Sequence, residues 1–151
     1  MYKAMLVLVA GMALIFTACG DDDEGNNSLY SEQIEKLSGT WKATDVTLDD
    51  TQQPGYQDFT IKLSGLPGGE GLGYIITNNP EFSPWISAYN GRLIFDASDP
   101  SKHLIREDDV AITYDLSGTT LTLSFVYNEE DAGGRVSGVT GTWKFTFEKQ
   151  P

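Results

Sequence analysis

His103 is the only imidazole in the chain. Hydrolytic catalysis of the triad type needs a nucleophile, a base and an orienter that meet in space. His103 sits beside Lys102 in a polar stretch after Asp99-Pro100, where a surface or strand-edge histidine accounts for it. One histidine and one cysteine exclude multi-histidine zinc sites and cysteine metal clusters. Paired carboxylates could support glycoside hydrolysis. Glu107-Asp108-Asp109 and Glu129-Glu130-Asp131 are such groups, but among 22 acidic residues close pairs arise by chance. Both runs read as solvated hairpin turns. Residues 65–73 are rich in glycine, yet a phosphate cradle needs a helix after it. Here an apolar strand pattern follows and Glu70 repels phosphate, so the stretch reads as a loop. Asp96-Ala97-Ser98-Asp99 could ligate calcium, but turn chemistry explains it. No catalytic residue, metal ligand or cofactor is therefore expected.

The better candidates are aromatic. Residues 78–89 hold Phe82, Trp85 and Tyr89 beside Pro80 and Pro84, and Tyr56 lies earlier in the chain. Exposed, such rings could stack on a sugar face or line a pocket for an apolar ligand. Folded back, the same loop would plug the interior with Trp85, and the sequence favours that arrangement.

Around these residues the chain has two parts. Residues 4–18 are apolar and follow Lys3, the only charge before Asp21. As a helix this run would span about 22 Å, short of the roughly 30 Å of a bilayer core. A basic start, an apolar run and small residues make a secretory signal over residues 1–18. Phe16-Thr17-Ala18-Cys19 resembles the lipobox of bacterial lipoproteins, with Phe16 in the place of the usual Leu. That resemblance implies cleavage before Cys19, acylation of Cys19 and stable membrane attachment through several acyl chains. Residues 19–28 carry four consecutive acids and read as a solvated tether. The acidic run directly after Cys19 also resembles the export signal of surface-exposed lipoproteins. It implies an outer-membrane protein facing the cell exterior. A net charge of −12 argues against nucleic acid as a partner.

Residues 29–151 read as one domain, of a length that suits a single core. Tyr30, Ile34 and Leu37 recur at helical spacing, so residues 29–37 form a short helix with Ser28 as its cap. After Gly39 the apolar period is two. Phe59, Ile61 and Leu63 alternate with polar residues, as do Ile112, Tyr114 and Leu116, then Leu121, Leu123 and Phe125, then Trp143, Phe145 and Phe147. This is the pattern of antiparallel strands with one face in water. Shorter strands are expected at 74–77, 85–89, 92–95 and 103–106. In the first strand, 40–48, Trp41 and Ala43 fall on one face but Val46 and Leu48 on the other, so a bulge is expected near Asp45. Asn90-Gly91 and Ser117-Gly118 signal tight hairpins. A meander of about eight strands favours up-and-down closure, which removes exposed edges. Gly39-Thr40-Trp41-Lys42 recurs as Gly141-Thr142-Trp143-Lys144, in strands that closure makes neighbours.

A short helix followed by Gly39-x-Trp41 resembles the opening of the lipocalin superfamily. Together with Thr77-Asn78-Asn79, Ile112-Thr113-Tyr114-Asp115-Leu116-Ser117-Gly118, Leu121-Thr122-Leu123-Ser124-Phe125 and Gly138-Val139-Thr140-Gly141-Thr142-Trp143, the chain is similar to lipocalin-like domains of bacterial lipoproteins that lack an assigned function. The resemblance implies an all-β, antiparallel up-and-down barrel of about eight strands with a short N-terminal helix. It implies an Arg packed over Trp41, with Arg106 and Arg135 as candidates. It also implies a monomeric, non-enzymatic binding protein for a small apolar or amphipathic ligand, with Trp85, Tyr89, Phe82 and Tyr56 as binding residues. The alternative is a surface module with a filled barrel, contacting glycans or proteins.

Overall fold

A computed structural model of the protein describes residues 23–85, 91–128 and 139–151, with side chains described from residue 29. Cys19, Tyr89, the Asn90 turn, Glu129-Glu130-Asp131 and Arg135 lie outside the described residues. The described chain forms a helix, α1 (Asp23–Leu37), and then strands β1 (Gly39–Leu48), β2 (Thr51–Gln52), β3 (Thr60–Gly65), β4 (Gly71–Thr77), β5 (Gly91–Phe95), β6 (His103–Arg106), β7 (Ala111–Ser117), β8 (Thr120–Tyr127) and β9 (Gly141–Lys149). Strands pair antiparallel in chain order from β3 to β9, β1 joins β3, and β1 also pairs with β9. That last pairing closes an eight-stranded up-and-down barrel, with β2 as an extra strand on β1. The fold is that of a lipocalin-like barrel.

The alternation seen in the sequence becomes the inside and outside of this barrel. Leu121, Leu123, Phe125 and Tyr127 of β8 face inward, as do Trp143, Phe145 and Phe147 of β9. Expected strand bounds shift by one residue at most, except that β4 begins three residues early, at Gly71, and except at 85–89. There Trp85 lies in a bend, outside any strand, and the rest of that range is outside the described residues. The bulge is where the side-chain phase breaks: the register with β9 slips between Ala43 and Asp45, so Thr44 is the extra residue. It lets Trp41, Ala43 and Val46 all face inward while Asp45 faces water. The β1–β2 hairpin was not expected; it turns on Asp49 and Asp50, both at positive φ, the backbone shape of a two-residue hairpin loop.

The helix begins at Asp23, six residues before the expected start at Leu29. Acidic residue types are favoured in a first helical turn, where they complement the macrodipole, so the backbone of α1 takes in part of the stretch read as a tether. Its far end closes one mouth of the barrel. Tyr30 stacks on Phe95 at 5.4 Å. Ile34 covers Gly65, whose missing side chain leaves room for its methyl. The buried Tyr114 hydroxyl donates to the Pro100 carbonyl at 2.7 Å and lies 3.0 Å from Gln33 Oε1.

The repeated Gly-Thr-Trp-Lys motifs occupy equivalent places at opposite mouths. Gly39 and Gly141 both have φ near the left-handed limit, at 137° and 146°. Each following Trp is buried and donates its indole N–H to the carbonyl four residues before it, Trp41 to Leu37 at 2.8 Å and Trp143 to Val139 at 2.7 Å. Both junctions thus fix a strand start by one indole bond. Arg106 does not cover Trp41, and Arg135 lies outside the described residues. Lys149 covers Trp41: its Nζ lies 5.2 Å from the ring centroid and donates to the Lys36 carbonyl. Antiparallel pairing brings Lys149 opposite Trp41, whereas Arg106 is on the far side of the barrel.

Candidate functional site

The mouth opposite α1 is built from the ends of β4, β6 and β8, the start of β9, and the loop after β4. Residues 78–85 of that loop are held by their own polar groups. Asn78, at positive φ, donates to the Asp58 carbonyl; Asn79 donates to the Trp85 carbonyl at 3.1 Å; and Tyr56 donates to the Phe82 carbonyl at 3.2 Å. Ser83 Oγ accepts the Trp85 N–H. These bonds turn the loop inward and drive Trp85 into the barrel, where it is only 2% exposed.

The loop thus acts as the plug that the sequence favoured. Trp85 packs edge-on against Tyr74, Phe125 and Phe145 at 5.4–5.8 Å. Phe145 in turn meets Tyr56, Phe59, Trp143 and Phe147, and Trp85 bridges Tyr74 of β4 to Phe125 of β8 across the barrel. Tyr56 is also buried, and burial first of all raises its phenol pKa, against the lowering bond to Ser83. Of the expected binding residues, Tyr56 and Trp85 therefore both lie in the core, each against Phe145, while Phe82, linked through its backbone, is 62% exposed. A hollow of about 70 Å³ beside the bulge, lined by Ala43, Val46, Gln53 and Tyr56, is far below ligand size. A groove of about 290 Å³ lined by Leu66, Pro67, Gly73, Ile75 and Arg92 is open to solvent.

The group that sequence reasoning did not assign to this mouth is Arg106. It is 1% exposed and faces inward from β6. Its guanidinium carbon lies 5.2 Å from the Trp85 centroid, 5.4 Å from Phe125 and 5.7 Å from Tyr127. Nε and Nη2 donate to the two oxygens of Asp108 at 2.7 and 2.8 Å, a fork-to-fork pair. Burial alone would raise the Asp108 pKa; the bond to Arg106 and its charge outweigh this and hold the carboxyl below its usual range. Glu107 accepts from the Tyr74 hydroxyl at 2.9 Å and from the Arg92 N–H. Burial, then the Glu107 charge, push the Tyr74 phenol far up, so it stays a neutral donor. Gly91 makes this possible, because any Cβ there would lie inside the Tyr74 ring. The Glu107-Asp108-Asp109 turn is therefore not simply solvated: its first two acids are tied into the barrel wall.

Among the described residues, three buried polar atoms at this mouth have no hydrogen-bond partner: the donors Arg106 Nη1 and Trp85 Nε1, and the acceptor Asn79 Oδ1. The signal for Arg106 was in the sequence, since it falls in phase with Leu104 on a two-residue period. His103 faces the other way, with Nδ1 3.4 Å from Thr113 Oγ1. Asp96 accepts from the Ser98 hydroxyl and N–H, the turn chemistry expected of it, and these bonds lower its pKa. Among the described residues, no three His, Cys, Asp or Glu side chains are grouped to hold a metal ion, and no helix is long and apolar enough to cross a membrane. No protein-family model matches the chain, and a search of the curated proteins finds no match.

Proposed function

We propose that this chain is a lipid-anchored, lipocalin-like binding protein, not an enzyme, that holds a small apolar or amphipathic ligand at the Trp85 mouth of its barrel. The observation that carries this reading is the pair of buried, unpartnered donors at that mouth. A buried donor without an acceptor costs about 1–3 kcal/mol, and two side by side against aromatic walls make a place where a ligand oxygen is stabilising. The acids nearest to them are already committed to Arg106, Tyr74 and Arg92, which favours binding over turnover. The anchor reading rests on Cys19 and its lipobox-like surroundings, and outer-surface placement on the acidic run that follows.

Native mass spectrometry of the full chain, extracted in detergent from its host membrane, tests the binding reading. A discrete small-molecule adduct is expected, lost on mild activation. Ligand-free protein that also shows no saturable tryptophan fluorescence change with apolar probes would sink it. A second reading, a surface module with a filled barrel, is favoured by the exposed Phe82 ring and by the packing of Trp85 between Tyr74 and Phe125 across the barrel. The same spectrum serves it, as the outcome without adduct. The anchor has its own check: Cys19→Ala should abolish fatty-acid incorporation and move the protein out of the membrane fraction.

A further inference from the structure

We propose that Arg106 Nη1 and Trp85 Nε1 form a paired donor site for the carbonyl-type oxygen of an uncharged, otherwise apolar molecule. The proposal rests on the binding reading and names the ligand chemistry of that mouth. Both atoms are buried and have no hydrogen-bond partner among the described residues. They belong to neighbouring side chains, the Arg106 guanidinium carbon lying 5.2 Å from the Trp85 ring centroid. Trp85 and Arg106 are each 2% exposed or less, which removes bulk water as a ready acceptor.

Charge decides the class of ligand. The guanidinium is already neutralised by two bonds to Asp108, whose side chain is only 14% exposed. A carboxylate or phosphate would bring a further anion beside Asp108 and Glu107, and in a weakly polarisable interior that repulsion is barely screened. A cation would be set against the Arg106 guanidinium and would give the two N–H groups no acceptor. A bare hydrocarbon would leave both donors without acceptors. A ketone, ester or amide oxygen meets the N–H groups without adding charge. The remaining walls, Phe125, Tyr127 and Tyr74, suit an apolar body attached to it.

The test uses the 15N-labelled full chain in detergent and three probes with one ring in common: acetophenone, benzoate and toluene. The readout is the Trp85 indole N–H resonance, identified by its loss in Trp85→Phe. The Trp41 and Trp143 indoles, already bonded to backbone carbonyls, are internal references that should stay in place. Acetophenone should move the Trp85 resonance saturably and bind at least about tenfold more tightly than toluene or benzoate, as expected when only one probe satisfies buried donors. Trp85→Phe, which keeps a ring and removes only the indole donor, should shrink that preference. The double variant Arg106→Met with Asp108→Leu, which removes the ion pair as a unit, should erase it; Trp85→Phe decides alone if the double variant does not fold. Equal affinities, benzoate as the tightest probe, or a Trp85 resonance that stays fixed would overturn the site. So would magnetisation transfer from a bound water that persists in acetophenone, which would make water the only occupant. If an adduct is found by mass while the Trp85 resonance ignores every probe, the binding reading stands and this site falls. If neither adduct nor probe binding is seen, both fall.

Discussion

Asp108 is the carboxylate on which the buried guanidinium depends. Removing one partner of a buried pair leaves the other charge uncompensated, at a cost of about 3–5 kcal/mol. Asp108→Ala is expected to destabilise by about 3 kcal/mol, near the low end because the carboxylate is partly exposed. Asp108→Asn, which keeps an acceptor oxygen, should cost less; urea denaturation of both variants measures the difference. The pair also sets a pH dependence. Because folding lowers the Asp108 pKa, its contribution is complete above the unfolded value of about 3.9 and is lost as pH falls through the lower folded value. The gap in urea midpoint between the natural chain and Asp108→Asn should therefore hold from pH 7 down to about 4 and close below that. The inward aim of Arg106 was legible, because it shares the phase of Leu104. Its partner was not. Asp108 lies in an acidic turn whose composition looks fully solvated, and only the tertiary position of Arg106 separates it from its neighbours.

The bulge in β1 shows how far a broken pattern can be read. Trp41, Ala43 and Val46 cannot share a face of a regular strand, so the slip at Asp45 follows from the side chains alone. Deleting Thr44 would restore strict alternation, with Asp45 still outward and Val46 still inward. That deletion should fold, with a modest loss of stability from the Thr44 hydroxyl bond to the Thr146 carbonyl. Deleting Thr122 from the unbroken β8 would instead turn Leu123, Phe125 and Tyr127 to the outside or force a new register, and should not fold. Circular dichroism melts of the two deletions give the comparison. The Trp85 loop was less readable for the opposite reason. A single indole just after Pro84 has no periodicity, so the chain alone favoured a plug without excluding an exposed platform, and the backbone bonds of Asn79, Tyr56 and Ser83 decide for the plug. The start of α1 was misplaced because the Ser28 cap signal is local, whereas the backbone helix runs on through polar residues with no apolar face to announce it.

Closure of the barrel was announced by the Gly-Thr-Trp-Lys echo and by the count of alternating runs, and the β1–β9 ladder bears it out. β9 is paired along both edges, to β1 from Trp41 to Leu48 and to β8 from Thr120 to Tyr127. Its amides should exchange only by global unfolding, those of the two-residue β2 by local opening. Native-state hydrogen exchange should accordingly rank β9 slowest and β2 among the fastest; equal protection of the two would contradict a closed wall with β2 as an appendage. The order of that ladder has a mechanical consequence. Trp41 lies opposite Lys149, so the chain enters and leaves the barrel wall at the same mouth. A force applied between an anchored N-terminal end and the C-terminus would load this seam one hydrogen bond at a time, starting at Trp41 and Lys149. It would open by unzipping, at low force, where a strand pair pulled from opposite ends would share the load and resist in shear.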